Sequence, residues 1–163
     1  MNSTDLLTAF RDSLVSAGLV RKATVAGAES STGAAPPLHI EPIAPPAPGE
    51  REAPENDTTL VVTLRLSSEI GETAYDGYRR RCILDVVYRS KGTGGLKRAR
   101  ALDAAIRSLV YDQRSDYGFG WTIGTTAPVE VLSVEPYTGL SPIARTEGQG
   151  STEVAKYLFE IRA

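Results

Sequence analysis

Leu60-Val61-Val62-Thr63-Leu64-Arg65-Leu66 and Cys82-Ile83-Leu84-Asp85-Val86-Val87-Tyr88-Arg89 are the two stretches of this 163-residue chain whose reading decides its fold. In the first, Leu60, Val62, Leu64 and Leu66 fall on one side of an extended chain, with Val61, Thr63, Arg65 and Ser67 on the other. Successive side chains of a strand point to opposite faces, so this period of two predicts a strand with one buried face. Cys82, Leu84, Val86 and Tyr88 alternate in the same way with Ile83, Asp85, Val87 and Arg89, and the two strands are expected to pair as a hairpin. Their connection, Glu69 to Tyr78, holds the turn region Gly71 to Gly77 and is longer than a tight turn. That length predicts a tip that projects from the sheet, with Tyr75 and Tyr78 near it.

Downstream, Ser90 to Gly95 is glycine-rich, and from Leu96 the apolar spacing turns helical through Ala99, Leu102, Ala105, Ile106, Leu109 and Val110. Strand, glycine loop and helix is also how phosphates are cradled. Here Gly92-Thr93-Gly94-Gly95-Leu96-Lys97 puts Lys97 where a dinucleotide fingerprint has its third glycine, and it lacks the Gly-Lys-Ser/Thr end of a P-loop. The stretch therefore reads as a flexible strand-to-helix connection. Tyr117-Gly118-Phe119-Gly120-Trp121-Thr122-Ile123-Gly124 fits a short strand, and Pro128 opens another from Val129 to Val134, ended by Pro136. A loop from Tyr137 to Ser151 leads to the last strand. There Ala155, Tyr157, Phe159 and Ile161 are read as the buried face, opposite Glu153, Leu158 and Glu160, with Lys156 partly out of register.

Upstream, Ser3 or Thr4 can cap a helix over Asp5 to Ala17, in which Leu6, Leu7, Phe10 and Leu14 follow at helical spacing. Gly18 suits the position just past its end, with Leu19 packing back on the last turn. Ala23 to Ala35 is Ala, Gly, Ser and Thr with few large apolar groups, a mobile loop by composition. Seven of the ten prolines then fall between Pro36 and Pro54, beside the acidic run Glu50 to Asp57, which excludes a helix or a central strand there. The stretch is either a solvated linker or a stiff extended arm that lies on a neighbouring subunit. The sum is one domain over residues 1–163 with a flexible insert at 23–57, of α+β class: two helices packed on one face of a mainly antiparallel or mixed sheet, and a long Pro-rich loop.

Composition narrows the function. Hydrophobic residues are 41% and charged residues 23% of the chain, which fits neither a membrane protein nor a wholly disordered one. No basic start with an apolar core precedes Leu7, and no stretch approaches a membrane span. Cys82 is the single cysteine and His39 the single histidine, so neither an intrachain disulfide nor a Cys/His zinc site is expected. His39, within Pro36-Pro37-Leu38-His39-Ile40, reads as a polar edge-strand residue rather than a catalytic base. No paired carboxylates or calcium-loop spacing stand out, so no enzyme, metal or cofactor is expected. Charge is split along the chain: residues 76–114 hold ten basic and four acidic side chains, net +6, against −8 for the rest. Such a bipolar chain suits docking against another copy of itself, with phosphate binding and a merely solvated face as the alternatives. Tyr111, Tyr117, Phe119 and Trp121 are either an interface anchor or core.

The order of elements, with Ile83-Leu84-Asp85-Val86-Val87-Tyr88-Arg89 and Ala99-Arg100-Ala101-Leu102-Asp103-Ala104-Ala105-Ile106-Arg107-Ser108-Leu109, resembles the tail terminator (minor capsid) proteins of long-tailed bacteriophages. The likeness covers most of the chain apart from the Pro-rich insert, and is one of pattern and size. It implies a virion protein at the head-proximal end of the tail: a ring, typically of six copies, that caps the tail tube, ends its polymerisation and meets the head-completion proteins, with DNA passing through the lumen. It transfers no functional residues. The candidates chosen on physical grounds for subunit or tube contacts are Arg79, Arg80, Arg81, Lys97, Arg98 and Arg100, with Tyr75, Tyr78, Tyr117, Phe119 and Trp121. The alternatives are a neck ring stacked on the portal, a cellular nucleic-acid-binding module, and a hydrolase using carboxylate chemistry.

Overall fold

Backbone pairing carries the two deciding strands well past the point where their side-chain alternation stops. The computed structural model describes residues 3–26, 35–43, 45–52, 59–74, 77–114, 121–123, 129–146 and 150–162. Along the chain these form α1 (Ser3–Ser16), β1 (Arg21–Lys22), β2 (Thr24–Ala26), β3 (Pro37–Ile40), β4 (Glu50–Glu52), β5 (Leu60–Ala74), β6 (Gly77–Ser90), α2 (Gly92–Arg114), β7 (Trp121–Ile123), β8 (Val129–Thr146) and β9 (Gly150–Arg162). A seven-stranded sheet runs β1-β3-β5-β6-β9-β8-β7, and β2 pairs with β4 in a separate two-stranded sheet. The β1–β3 and β3–β5 pairs are parallel and the others antiparallel, so the sheet is mixed and the class is α+β.

The expected hairpin is present, but its connection is shorter than expected. The β5–β6 ladder runs from Leu60↔Ser90 to Ala74↔Gly77, with a bulge between Leu66 and Ser68 and residues 75–76 between the strands. Ladder hydrogen bonds join backbone groups and do not depend on alternating side chains. The same applies to β8, which runs through Pro136 and on to Thr146 where a loop was expected. Past Val131 it pairs only with β9, with register shifts on the way. Among the described residues no strand pairs with its other side there, and a strand tolerates a proline on a side whose N–H is not needed. The 23–57 insert is also partly structured: β2 and β4 pair within it, and β3 joins the main sheet between β1 and β5. His39 consequently sits opposite Thr63 in an inner strand rather than on an edge.

Both helices lie on one face of the sheet. Leu6, Phe10 and Leu14 of α1 and Ala99, Ile106 and Val110 of α2 form one core with Val62, Leu64, Leu84, Val86, Tyr157 and Phe159. The Phe10 ring centre is 5.2 Å from that of Phe159, edge to face, and 6.3 Å from that of Tyr157. Gly18 takes φ 73° and ends α1 as expected: its N–H donates to the Val15 carbonyl and that of Leu19 to the Leu14 carbonyl. The two bonds satisfy carbonyls that the helix end would otherwise leave unpaired.

Helix α2 begins at Gly92, four residues before the apolar spacing becomes helical. Gly92 adopts φ 67°, and a Cβ at Gly95 would collide with the carbonyl oxygen of Thr59. The glycines therefore allow the first turn of α2 to press against the start of β5, where the Lys91 N–H also donates to Thr59 O.

The middle of the helix-free face, expected to be exposed, is buried. Thr63, Asp85, Val87 and Val154 are all buried. Arg65, Asp85 and Lys156 stand in one cross-strand row. Arg65 Nε donates to Asp85 Oδ2 at 2.9 Å and Lys156 Nζ to Asp85 Oδ1 at 2.7 Å. An aspartate on the middle strand of three is thus flanked by a cation on each side, which offsets much of its desolvation.

Candidate functional site

Helix α2 turns one side to the core and leaves the other open. Lys97, Arg100, Ala101, Ala104, Ser108 and Tyr111 are all exposed, and their spacing of three and four places them on neighbouring positions of one face. Where this face meets β8 there is an open cleft of about 530 Å³. Its α2 wall includes Arg100, Arg107 and Tyr111, its β8 wall Gly139, Leu140 and Pro142, and Asp103 and Glu153 contribute from the core side. Small residues at Ala104, Ser108 and Gly139 keep the walls low, while Arg100 and Tyr111 stand at the rim.

Asp103 organises the inner wall. Its Oδ1 accepts from the hydroxyls of Tyr88 at 3.2 Å and Tyr157 at 3.3 Å, and its Oδ2 from Nη2 of Arg107 at 3.1 Å. Arg107 is one turn along α2, so the helix itself supplies the cation. Burial, reinforced by the Asp103 charge, pushes both phenols well above their ordinary range. They remain neutral donors to the carboxylate at any ordinary pH. Burial also raises the Cys82 thiol to about 11, with the Glu69 charge adding to the shift and Arg80 opposing it. That thiol is packing rather than a nucleophile.

Glu153 corrects the sequence reading. It was placed opposite Ala155 and Tyr157, but it has the same parity and shares their helix-covered face, opposite Tyr88 in the ladder and only 4% exposed. Its Oε2 and the Nε of Arg107 are both buried without a hydrogen-bond partner. One unpaired acceptor and one unpaired donor thus lie buried beneath the cleft. Buried polar atoms of this kind cost stability when left unpaired.

Among the described residues selected from sequence for subunit or tube contacts, Arg100 lines this cleft and the others do not. Lys97 is exposed one turn earlier. Arg98 is turned back, its Nη1 donating to Thr59 Oγ1 at 2.8 Å, and is a structural tie. Arg80 pairs with Glu69 at 3.0 Å and Arg81 with Glu160 at 3.7 Å, both within the sheet. Arg79 and Tyr78 belong to β6, where they pair with Glu72 and Thr73, and Trp121 opens β7 opposite Val131. Tyr75, Tyr117 and Phe119 lie outside the described residues. Tyr111, which sequence left between core and interface, is 49% exposed. The sequence reading missed Asp103, Arg107 and Glu153. The four-residue spacing of the first two was a visible signal, as was a glutamate two residues ahead of Ala155 on an apolar face.

Among the described residues, no group of three or more His, Cys, Asp or Glu side chains is placed to hold a metal ion, and no helix is long and apolar enough to cross a membrane. No protein-family model matches the chain, and no curated protein matches it either.

Proposed function

We propose that this chain is a ring-forming structural subunit of a phage tail, of the tail terminator kind: it caps the tube, stops its growth and joins it to the head-completion proteins. The observation that carries this reading is the open face of α2. A row of small residues, Ala101, Ala104 and Ser108, lies exposed between the cations Lys97 and Arg100 and the ring of Tyr111. Small side chains let another surface approach closely, and tyrosine and arginine are the residues that most often anchor protein contacts.

This face belongs to the segment that carries the likeness to tail terminators, and to the net-positive part of the chain. A closed ring joins one patch of each copy to a different patch of the next. Segregated charge favours that arrangement over a two-fold contact, which would set the positive segment against itself.

The test is electron microscopy of particles carrying the labelled chain, together with the purified chain alone. A ring at the junction of head and tail tube is the expected result, and Lys97→Glu with Arg100→Glu should reduce ring formation at moderate salt. Density stacked on the portal instead would assign the neck. Absence from particles, with salt-sensitive binding to duplex DNA, would replace the reading by a nucleic-acid-binding one.

A further inference from the structure

We infer that the cleft between α2 and β8 receives the proline loop of residues 41–50 from a second copy of this chain. The inference takes from the ring reading only that copies meet.

The loop is built to be presented. β3 holds one end and β4 the other, and it exposes Pro42, Ile43, Pro45, Pro46 and Pro48. Ile43 is 60% exposed, the most exposed large apolar side chain among the described residues. Residues 47–50 close the loop with a turn. Gly49 adopts φ 86°, Glu50 N–H donates to the Ala47 carbonyl at 2.9 Å, and Ala47 N–H donates to Glu50 Oε2 at 3.2 Å. Prolines and these bonds lower the entropy lost on docking.

The cleft offers what such a loop needs. Proline-rich segments dock on aromatic surfaces, and Tyr111 supplies an exposed ring at the rim beside Leu140 and Pro142. The cleft is also open and of a size to take a short peptide segment, about 530 Å³. Charge agrees as well: the exposed Glu50 closes the loop, while the exposed Arg100 lines the cleft and Lys97 is exposed one turn earlier.

A chain's own cleft is not the destination. Glu41 reaches Arg89 at 3.9 Å, and Arg89 projects to the helix-free side. Its neighbour Tyr88 projects to the helix side, where its hydroxyl reaches Asp103. The loop also starts from β3, which β5, β6 and β9 separate from β8 in the sheet, so loop and cleft are different patches, as a head-to-tail contact between copies requires.

The experiment is a fluorescence-anisotropy titration of the full chain against a labelled peptide of residues 41–50, Glu-Pro-Ile-Ala-Pro-Pro-Ala-Pro-Gly-Glu. Saturable binding is expected, weakened about tenfold by Tyr111→Ala in the chain or Ile43→Ser in the peptide, the size of a moderate interface anchor. Arg100→Glu, at an exposed position where folding is not at stake, should weaken it too. No saturation at millimolar chain, equal binding to an unrelated proline peptide, or indifference to both Tyr111→Ala and Arg100→Glu each overturns the inference. Full-length Ile43→Ser separates it from the ring reading. Rings that form normally in that variant leave the terminator proposal standing and remove this contact. Loss of rings together with loss of peptide binding supports both.

Discussion

The two faces of the central sheet each bury an aspartate on or beside β6, and they do so by different means. On the helix-free face, Asp85 is held between two cations of neighbouring strands, Arg65 and Lys156. On the helix-covered face, Asp103 of α2 is held by two neutral phenols and one arginine. The first arrangement is complete, since each carboxylate oxygen has a charged partner and the row closes within the sheet. The second leaves polar atoms of Arg107 and Glu153 unused beside an open cleft. The difference lies in what surrounds each carboxylate: the ion row is closed within the sheet, whereas the Asp103 network borders an open cleft whose outer wall, Arg100 and Tyr111, is exposed.

The largest effect should come from the helix-covered core. Phe10→Ala removes a fully buried ring packed on Phe159 and Tyr157, and urea denaturation should show a loss of about 3–5 kcal/mol. A loss below about 1 kcal/mol would mean that α1 does not seal this face.

Next is the ion row. Asp85→Ala should cost about 2 kcal/mol by the same measurement, less than for a fully buried pair because Arg65 and Lys156 keep some solvent. Asp103→Asn retains a carbonyl acceptor for the tyrosines and should cost about 1 kcal/mol. The reverse order would break the comparison, making the neutral network the more demanding of the two.

A third effect is alkaline. Cys82 is raised from 9.0 to about 11, and Tyr88 and Tyr157 are raised above 10.0. The unfolded chain therefore releases these protons first, so the stability they contribute is complete below about pH 9 and declines as pH rises through the folded values. Thermal melts between about pH 8 and 12 should show this decline, and Cys82→Ala should delay its onset by about one pH unit. A melting temperature that does not fall above about pH 10 would contradict the burial of all three groups.

The smallest effect has the opposite sign. Thr63 is fully buried and its hydroxyl has no partner. Thr63→Val keeps the shape and removes the unpaired oxygen, so it should raise stability by about 1 kcal/mol. A loss of similar size would show that the helix-free face does supply the hydroxyl with a partner.

Local periodicity accounts for much of what was legible. Leu60 to Leu66 and Cys82 to Tyr88 alternate because each sits in a sheet with helices on one side, and Leu96 to Val110 repeats at three and four because one side of α2 is core. Gly18 ended α1 for a local reason, a backbone angle that other residues avoid. The errors came where pairing across the sheet overrides local signals. Pro136 ends a strand only if its missing N–H is needed for pairing, and the chain's sequence does not say that β8 continues its pairing with β9 through that point. Tyr78 and Arg79 looked like loop residues because nothing nearby reveals how far the β5–β6 ladder extends.

The candidate cleft divides in the same way. Arg100, Tyr111 and the small residues between them are visible on a helical wheel, so the chain by itself determined that α2 has a cationic, aromatic outer side. The meeting of that side with Gly139 and Pro142 of β8, and the position of Glu153 beneath it, depend on strands brought together from up to about fifty residues away along the chain. Side-chain pattern fixes which face of an element is apolar, because that is a property of the element alone. Which elements become neighbours is decided by hydrogen bonding and packing over the whole sheet, and the acceptor and donor left unsatisfied beneath the cleft exist only as a result of that arrangement.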